Sequence, residues 1–154
     1  AGAVLMNTSL QGLNPFYQRL QPRNYWPLIR SLLFNTDAHS REEIIFDLTS
    51  NLNTKRGSVV NNWVRYANEY PVSRLNALRQ LIAASFYRIP GHAPQQPVLV
   101  LNGLKDRLVN PQCSKQLAQQ WQLPLQSHPA AGHDLTLDAD AWVCERIVEW
   151  LQQQ

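Results

Sequence analysis

Apolar residues along this chain fall into two textures. Ala3-Val-Leu-Met6 and Val98-Leu-Val-Leu101 are short unbroken apolar runs, the first closed by Asn7-Thr8-Ser9 and the second preceded by Pro97. Runs without polar alternation predict strands buried on both faces, as in a parallel sheet. Between them, from about residue 11 to 89, the spacing is helical. Leu28, Ile29, Leu32 and Leu33 recur at helical intervals after Pro27. Ser40-Arg-Glu-Glu43 reads as a capping box, with Ser40 as N-cap, Glu43 reaching back, and Ile44, Ile45 and Leu48 as the apolar face. A third helix is expected from Ser58 to Tyr70, burying Val59, Trp63 and Ala67, and Pro71 stops it. A fourth starts at Ser73, with Leu75, Leu78, Leu81, Ile82 and Phe86 on one stripe, and Pro90, Gly91 and Pro94 punctuate its end.

After Pro97 the texture alternates. The second apolar run leads into a loop from Asn102 to Asn110, then a helix from Pro111 to about Trp121 with Leu117, Ala118 and Trp121 inward. Leu125 to Pro129 is a weaker strand with alternating polar residues. Ala130-Ala-Gly-His133 follows, then a last helix over roughly 139 to 152 with Val143, Ile147, Trp150 and Leu151 on one face. The order β-α-β-α is that of a doubly wound sheet. Strands apolar on both faces need helices on both sides and neighbours at both edges, and the first strand would otherwise leave an unpaired edge. Further strands, from a removed N-terminal segment or a partner chain, are therefore expected. A self-contained small α/β domain is the alternative.

Composition narrows the class. The 154 residues are 44% apolar and 16% charged, as expected for a globular domain with its own core. No apolar run approaches the roughly eighteen residues of a membrane span, and Ala1 to Leu10 lacks the basic start and length of a signal peptide. Cys113 and Cys144 stand apart, outside any Cys-x-x-Cys spacing. Both are expected to be small buried residues on helices in a reducing cytoplasm, with neither a disulfide framework nor a zinc site. The net charge is +3, but the basic residues are spread singly and the longest cluster is Lys55-Arg56. A nucleic-acid partner would need them gathered on one face, so none is expected.

The chemistry sits in two loops. Gly103-Leu-Lys-Asp106 follows directly on a buried strand, and Gly132-His133 follows the next. Functional groups of open α/β sheets gather outside the carboxyl ends of the strands, so Asp106 and His133 are expected at the same edge. There the carboxylate would fix the imidazole tautomer and stabilise an imidazolium. Alone, Asp106 reads as a turn aspartate and His133 as a loop histidine; their pairing makes both candidates. Asp134 is expected to cap or solvate the following loop, and His128, His92 and His39 to be structural or solvated. Cys113 has no neighbour in sequence that would activate it as a nucleophile.

Pro97-Val-Leu-Val-Leu-Asn-Gly-Leu-Lys-Asp106 followed by Pro129-Ala-Ala-Gly-His133 resembles the last third of the α/β-hydrolase fold. The family order is Ser, then Asp or Glu, then His. The resemblance implies the C-terminal part of such a sheet, about three parallel strands with flanking helices and an inserted all-helical cap. It assigns residues 1–10 to a core strand, 11–89 to the cap and 90–154 to the rest of the core. Asp106 and His133 become the late members of a catalytic triad. Phe16, Tyr17, Tyr25, Trp26, Trp63 and Tyr66 become candidates to line part of an apolar pocket. The Gly-x-Ser-x-Gly elbow and the oxyanion-hole loop of the family are absent, and Gly57-Ser58 looks like a helix start.

The resemblance thus implies an ester or acyl hydrolase acting on a small-molecule substrate. Its serine would lie upstream, in the N-terminal half of the fold on the same gene or a separate chain, with no metal or organic cofactor. An Asp nucleophile would point instead to a dehalogenase or epoxide hydrolase. The alternative is a non-catalytic hydrolase-like binding or interaction domain.

Overall fold

The computed structural model describes residues 1–33, 37–52, 55–88 and 92–154. Its centre is strand β2 (Val98–Gly103), all six residues of which are buried. It pairs in parallel with β1 (Ala3–Met6) on one side and β3 (Leu125–His128) on the other, giving the order β1-β2-β3. Ala3 lies opposite Val98, and Val100 opposite Leu125. Successive strand residues face opposite sides. Leu99 and Leu101 pack with Ala131, Leu135, Val143 and Trp150. These last come from the loop after β3, from α7 (Leu135–Asp138) and from α8 (Asp140–Leu151). The opposite face meets α6 (Gln112–Trp121), which buries Cys113, Leu117 and Ala118. Helices on both faces of a parallel sheet explain why β2 carries no polar alternation.

Strand β1 departs from the expected double burial: its end residues are exposed and its middle pair half-buried. It is an outer strand, with β2 as its neighbour among the described residues. Between β1 and β2 the chain is helical, with α1 (Phe16–Arg19), a 3-10 turn (Pro22–Asn24), α2 (Tyr25–Leu33), α3 (Ala38–Thr49), α4 (Arg56–Glu69) and α5 (Arg74–Phe86). The first two are too short to produce a periodic signal.

The α3 cap differs from the capping-box reading. Asp37 is the N-cap, and Ser40 donates to it from both its amide and its hydroxyl. Glu43 turns to Arg56 on α4, at 2.7 Å, instead of reaching back. An aspartate three residues earlier outcompetes Ser40 because its two acceptor oxygens satisfy two donors. Ser73 does cap α5, accepting from the Asn76 amide. The α5 stripe exists, but Leu75, Leu78, Leu81, Ile82 and Phe86 are all exposed. In α4 the buried residue is Val60, with Val59, Trp63 and Ala67 half-buried. Leu151, expected on one face of α8 with Val143 and Trp150, is exposed, and Cys144 is exposed as well, against the expectation that it is buried. Pro90 and Gly91, expected to end α5, lie outside the described residues.

Leu99 is 1% exposed within the central cluster. Leu99→Ala is expected to lower unfolding free energy by about 2–5 kcal/mol, transfer and cavity terms together; chemical denaturation followed by circular dichroism measures it.

Candidate active site

Parallel pairing brings the carboxyl ends of β1, β2 and β3 side by side, and each continues into a loop that meets the others. Asp106 sits in the loop after β2 with its side chain 1% exposed. Its Oδ1 accepts from the Leu108 and Val109 amides at 2.8 and 2.9 Å. Its Oδ2 lies 2.8 Å from Nδ1 of His133, which is in the loop after β3. With the carboxylate as acceptor, Nδ1 is the donor, and in the neutral imidazole the lone pair then lies on Nε2. The two residues singled out by the sequence are thus in direct contact.

Two glycines permit this approach. A Cβ on Gly103 would overlap the Ala131 and Gly132 carbonyls, so the end of β2 can touch the His133 loop only without a side chain. A Cβ on Gly132 would come 2.7 Å from the Thr49 carbonyl oxygen and 3.1 Å from an Asp138 carboxylate oxygen.

Asn7, at the end of β1, joins the three loops, and the sequence pattern showed it only as the stop of an apolar run. It is 4% exposed and takes a φ of 47°, a left-handed conformation that asparagine tolerates. Its Oδ1 accepts from the Gly103 amide at 2.8 Å. Its Nδ2 donates to the Gly132 and His133 carbonyls at 3.1 and 2.6 Å. No local pattern could have announced this role, because its partners lie roughly a hundred residues or more away.

The other candidates take supporting places. Asp134 caps α7 by accepting from the Leu137 amide. His128 Nδ1 accepts from the Ala130 and Ala131 amides, shaping the turn before His133. His39 is exposed and 3.7 Å from Glu43, and His92 is exposed. A cavity of about 450 Å³ opens beside His133, lined by Met6, Glu42, Ile45, Thr49 and Trp63 among others. That volume suits a small organic molecule. Of the candidate aromatics, Trp63 lines the cavity, while Phe16, Tyr17, Trp26 and Tyr66 are exposed.

Burial, with a smaller push from the Asp106 charge, raises the Cys113 thiol to about 11. It is fully buried and free, which makes it inert as a nucleophile. Among the described residues no helix is long and apolar enough to cross a membrane.

No protein-family model matches the chain, and no curated protein does. Solved structures do match in fold. A 2-hydroxy-6-oxo-6-phenylhexa-2,4-dienoate hydrolase from Rhodococcus sp. strain RHA1 aligns with a TM-score of 0.65 and 19% identity, over 98% of this chain and 55% of its own. An esterase from Rhodococcus sp. ECU1013 gives 0.68 and 18%, over 99% and 56%. The enol-lactonase from Burkholderia xenovorans LB400 gives 0.68 and 15%, over 98% and 56%. The chain therefore has the fold of the C-terminal part of an α/β-hydrolase, and it spans about half the length of these proteins.

Two outcomes are expected here. Asn7→Asp should destabilise more than Asn7→Ala, because it sets a carboxylate against two carbonyl oxygens. Each buried group left unpaired costs about 1–3 kcal/mol, and denaturant midpoints rank the variants. A thiol reagent at pH 8 should modify Cys144 in the native protein and reach Cys113 only after unfolding, as peptide mass mapping would show.

Proposed function

We propose that this chain is the C-terminal part of an α/β-hydrolase that cleaves ester or related acyl bonds in small molecules. The observation that carries the reading is the 2.8 Å contact between His133 Nδ1 and a carboxylate whose other oxygen is already held by two amides. Such a carboxylate cannot easily turn away, so the imidazole keeps one tautomer and offers Nε2 as the base.

In the proposed reaction, a serine from the N-terminal half attacks the substrate carbonyl and passes its proton to Nε2. Asp106 stabilises the imidazolium, which returns that proton to the leaving alkoxide as the carbon–oxygen bond breaks. Water then adds to the acyl-enzyme by the same relay, its proton passing through Nε2 to the serine oxygen as the acid is released. No metal or cofactor takes part.

Residues 11–89 act as a cap, and α3 and α4 supply Glu42, Ile45, Thr49 and Trp63 to the wall of the substrate cavity. The remaining strands of the sheet would extend it beyond β1. Two features support that extension: the chain spans about half the length of its structural neighbours, and β1 is an outer strand among the described residues. Both cysteines are free, which fits a cytoplasmic setting.

The native protein treated with a fluorophosphonate probe tests this reading through its intact mass. A chain longer than this one that gains a single adduct is expected. Asp106→Asn should then lower kcat by about four orders of magnitude, with His133→Ala at least as damaging. A protein of the present length with no adduct would replace the enzyme with a non-catalytic hydrolase-like binding domain.

A further inference from the structure

One short turn touches the chain on both sides of Asp106 and on both sides of His133. It is Thr49–Leu52, where α3 ends. The residues flanking Asp106 are Lys105 and Arg107. The Lys105 carbonyl accepts from Asn51 Nδ2 at 2.9 Å, and Arg107 donates to the Ser50 carbonyl at 2.8 Å. The residues flanking His133 are Gly132 and Asp134. The Asp134 amide donates to the Thr49 carbonyl at 2.8 Å. Gly132 is reached through Asp138, whose Oδ2 accepts from the Gly132 amide at 2.7 Å and from the Asn51 amide at 2.9 Å. The other oxygen of Asp138 accepts from the Ser50 hydroxyl and the Leu52 amide.

We infer that Asp138 is a positioning residue. It grips the Thr49–Leu52 turn and, through it, fixes the separation and alignment of Asp106 and His133. This inference rests on the hydrolase reading for its kinetic consequence, though the geometry it concerns exists without it.

The chemistry of the four donors supports the assignment. A carboxylate presents about four acceptor sites, and Asp138 fills them from two directions, three donors on the turn and one on the His133 loop. No other side chain of that size does this: an amide offers a single acceptor oxygen and would turn a donor toward other donors. Burial works to raise the Asp138 carboxyl, but the bonds from Ser50, Gly132, Asn51 and Leu52 outweigh it and hold the group below its ordinary range. The charged form is therefore the one the site is built around. Gly132 fits the same picture, since its missing side chain is what lets Thr49 and Asp138 reach the backbone beside His133. Thr49 also lines the cavity, so the turn that aligns the pair is part of the substrate wall.

The test uses the intact protein with Asp138→Ala, Asp138→Asn and Ser50→Ala, read by steady-state kinetics on an activated ester, by the low-field Nδ1 proton resonance of His133, and by thermal midpoint. Misplacing reacting groups by about an ångström can cost on the order of a hundredfold. Asp138→Ala is thus expected to lower kcat by about ten- to a hundredfold with KM little changed, and to broaden or remove the His133 resonance. Ser50→Ala, which leaves three amides on the carboxylate, should keep the resonance with a smaller loss of kcat. If Asp138→Ala fails to fold, Asp138→Asn carries the same expectation with one acceptor lost. A lower thermal midpoint with kcat and the resonance unchanged would overturn the inference and leave Asp138 a structural residue only. If the wild-type protein hydrolyses no ester, the enzyme reading fails by itself, and the resonance in the variants still decides whether Asp138 aligns the pair.

Discussion

Parallel pairing of β2 with a strand on each side is the constraint on which the rest of the molecule depends. Because all three strands run the same way, their carboxyl ends emerge together, and the loops that follow must pass within hydrogen-bonding distance of one another. Burial of all six β2 residues makes that arrangement rigid. A shift by one residue would move Leu99 and Leu101 out of the cluster around Trp150 and bring Val98 and Val100 into it. The register that satisfies the apolar faces is also the one that sets Gly103 against the Gly132 carbonyl and Asn7 against both. Packing energy, which dominates the fold, thereby fixes the place of a few polar contacts that contribute much less.

What could be read from the sequence follows from how local each signal is. Strand β2 announces itself because a continuous apolar run has few other uses, and Asp106 and His133 stand out because each follows a glycine close behind a strand. The α5 helix was legible from Ser73 and its apolar spacing. Its exposure was not, since periodicity tells which residues share a face and not what lies against that face. The α3 cap was misplaced because Ser40 and Asp37 both satisfy local capping chemistry, and only the contact between Glu43 and Arg56 shows that Glu43 is engaged elsewhere. The contacts of Asn7 and Asp138 left no trace in the sequence. Their partners come from distant parts of the chain, and a lone polar residue ending a strand or a helical turn looks like punctuation.

Asp106 and Asp138 are both buried or half-buried carboxylates supplied with backbone amides, yet they differ in what remains. Asp106 spends one oxygen on two amides and keeps the other for an imidazole. Asp138 spends both oxygens on groups that do not titrate in the physiological range. The first arrangement leaves a charge available to respond to a proton on its neighbour. The second has no such reserve and serves as a fixed joint. Counting donors on each oxygen separates a carboxylate that can assist chemistry from one that can only hold a shape.

That distinction also explains why the pair needs supports on every side. A buried carboxylate and an imidazole on two separate loops would each be free to find other partners, and a bond between them would have to overcome the conformational entropy of both loops. Here the entropy is removed beforehand: Asn7 ties the ends of the strands, His128 shapes the approach to His133, and the Thr49–Leu52 turn holds the residues beside both groups. None of these bonds is made to the imidazole ring. They act on the backbone of His133 and its neighbours and on the residues flanking Asp106, where a bond constrains direction without competing for Nδ1 or Nε2. Among the described residues the ring's hydrogen-bond partner is Asp106, which is the arrangement a histidine needs to keep one tautomer at Nδ1.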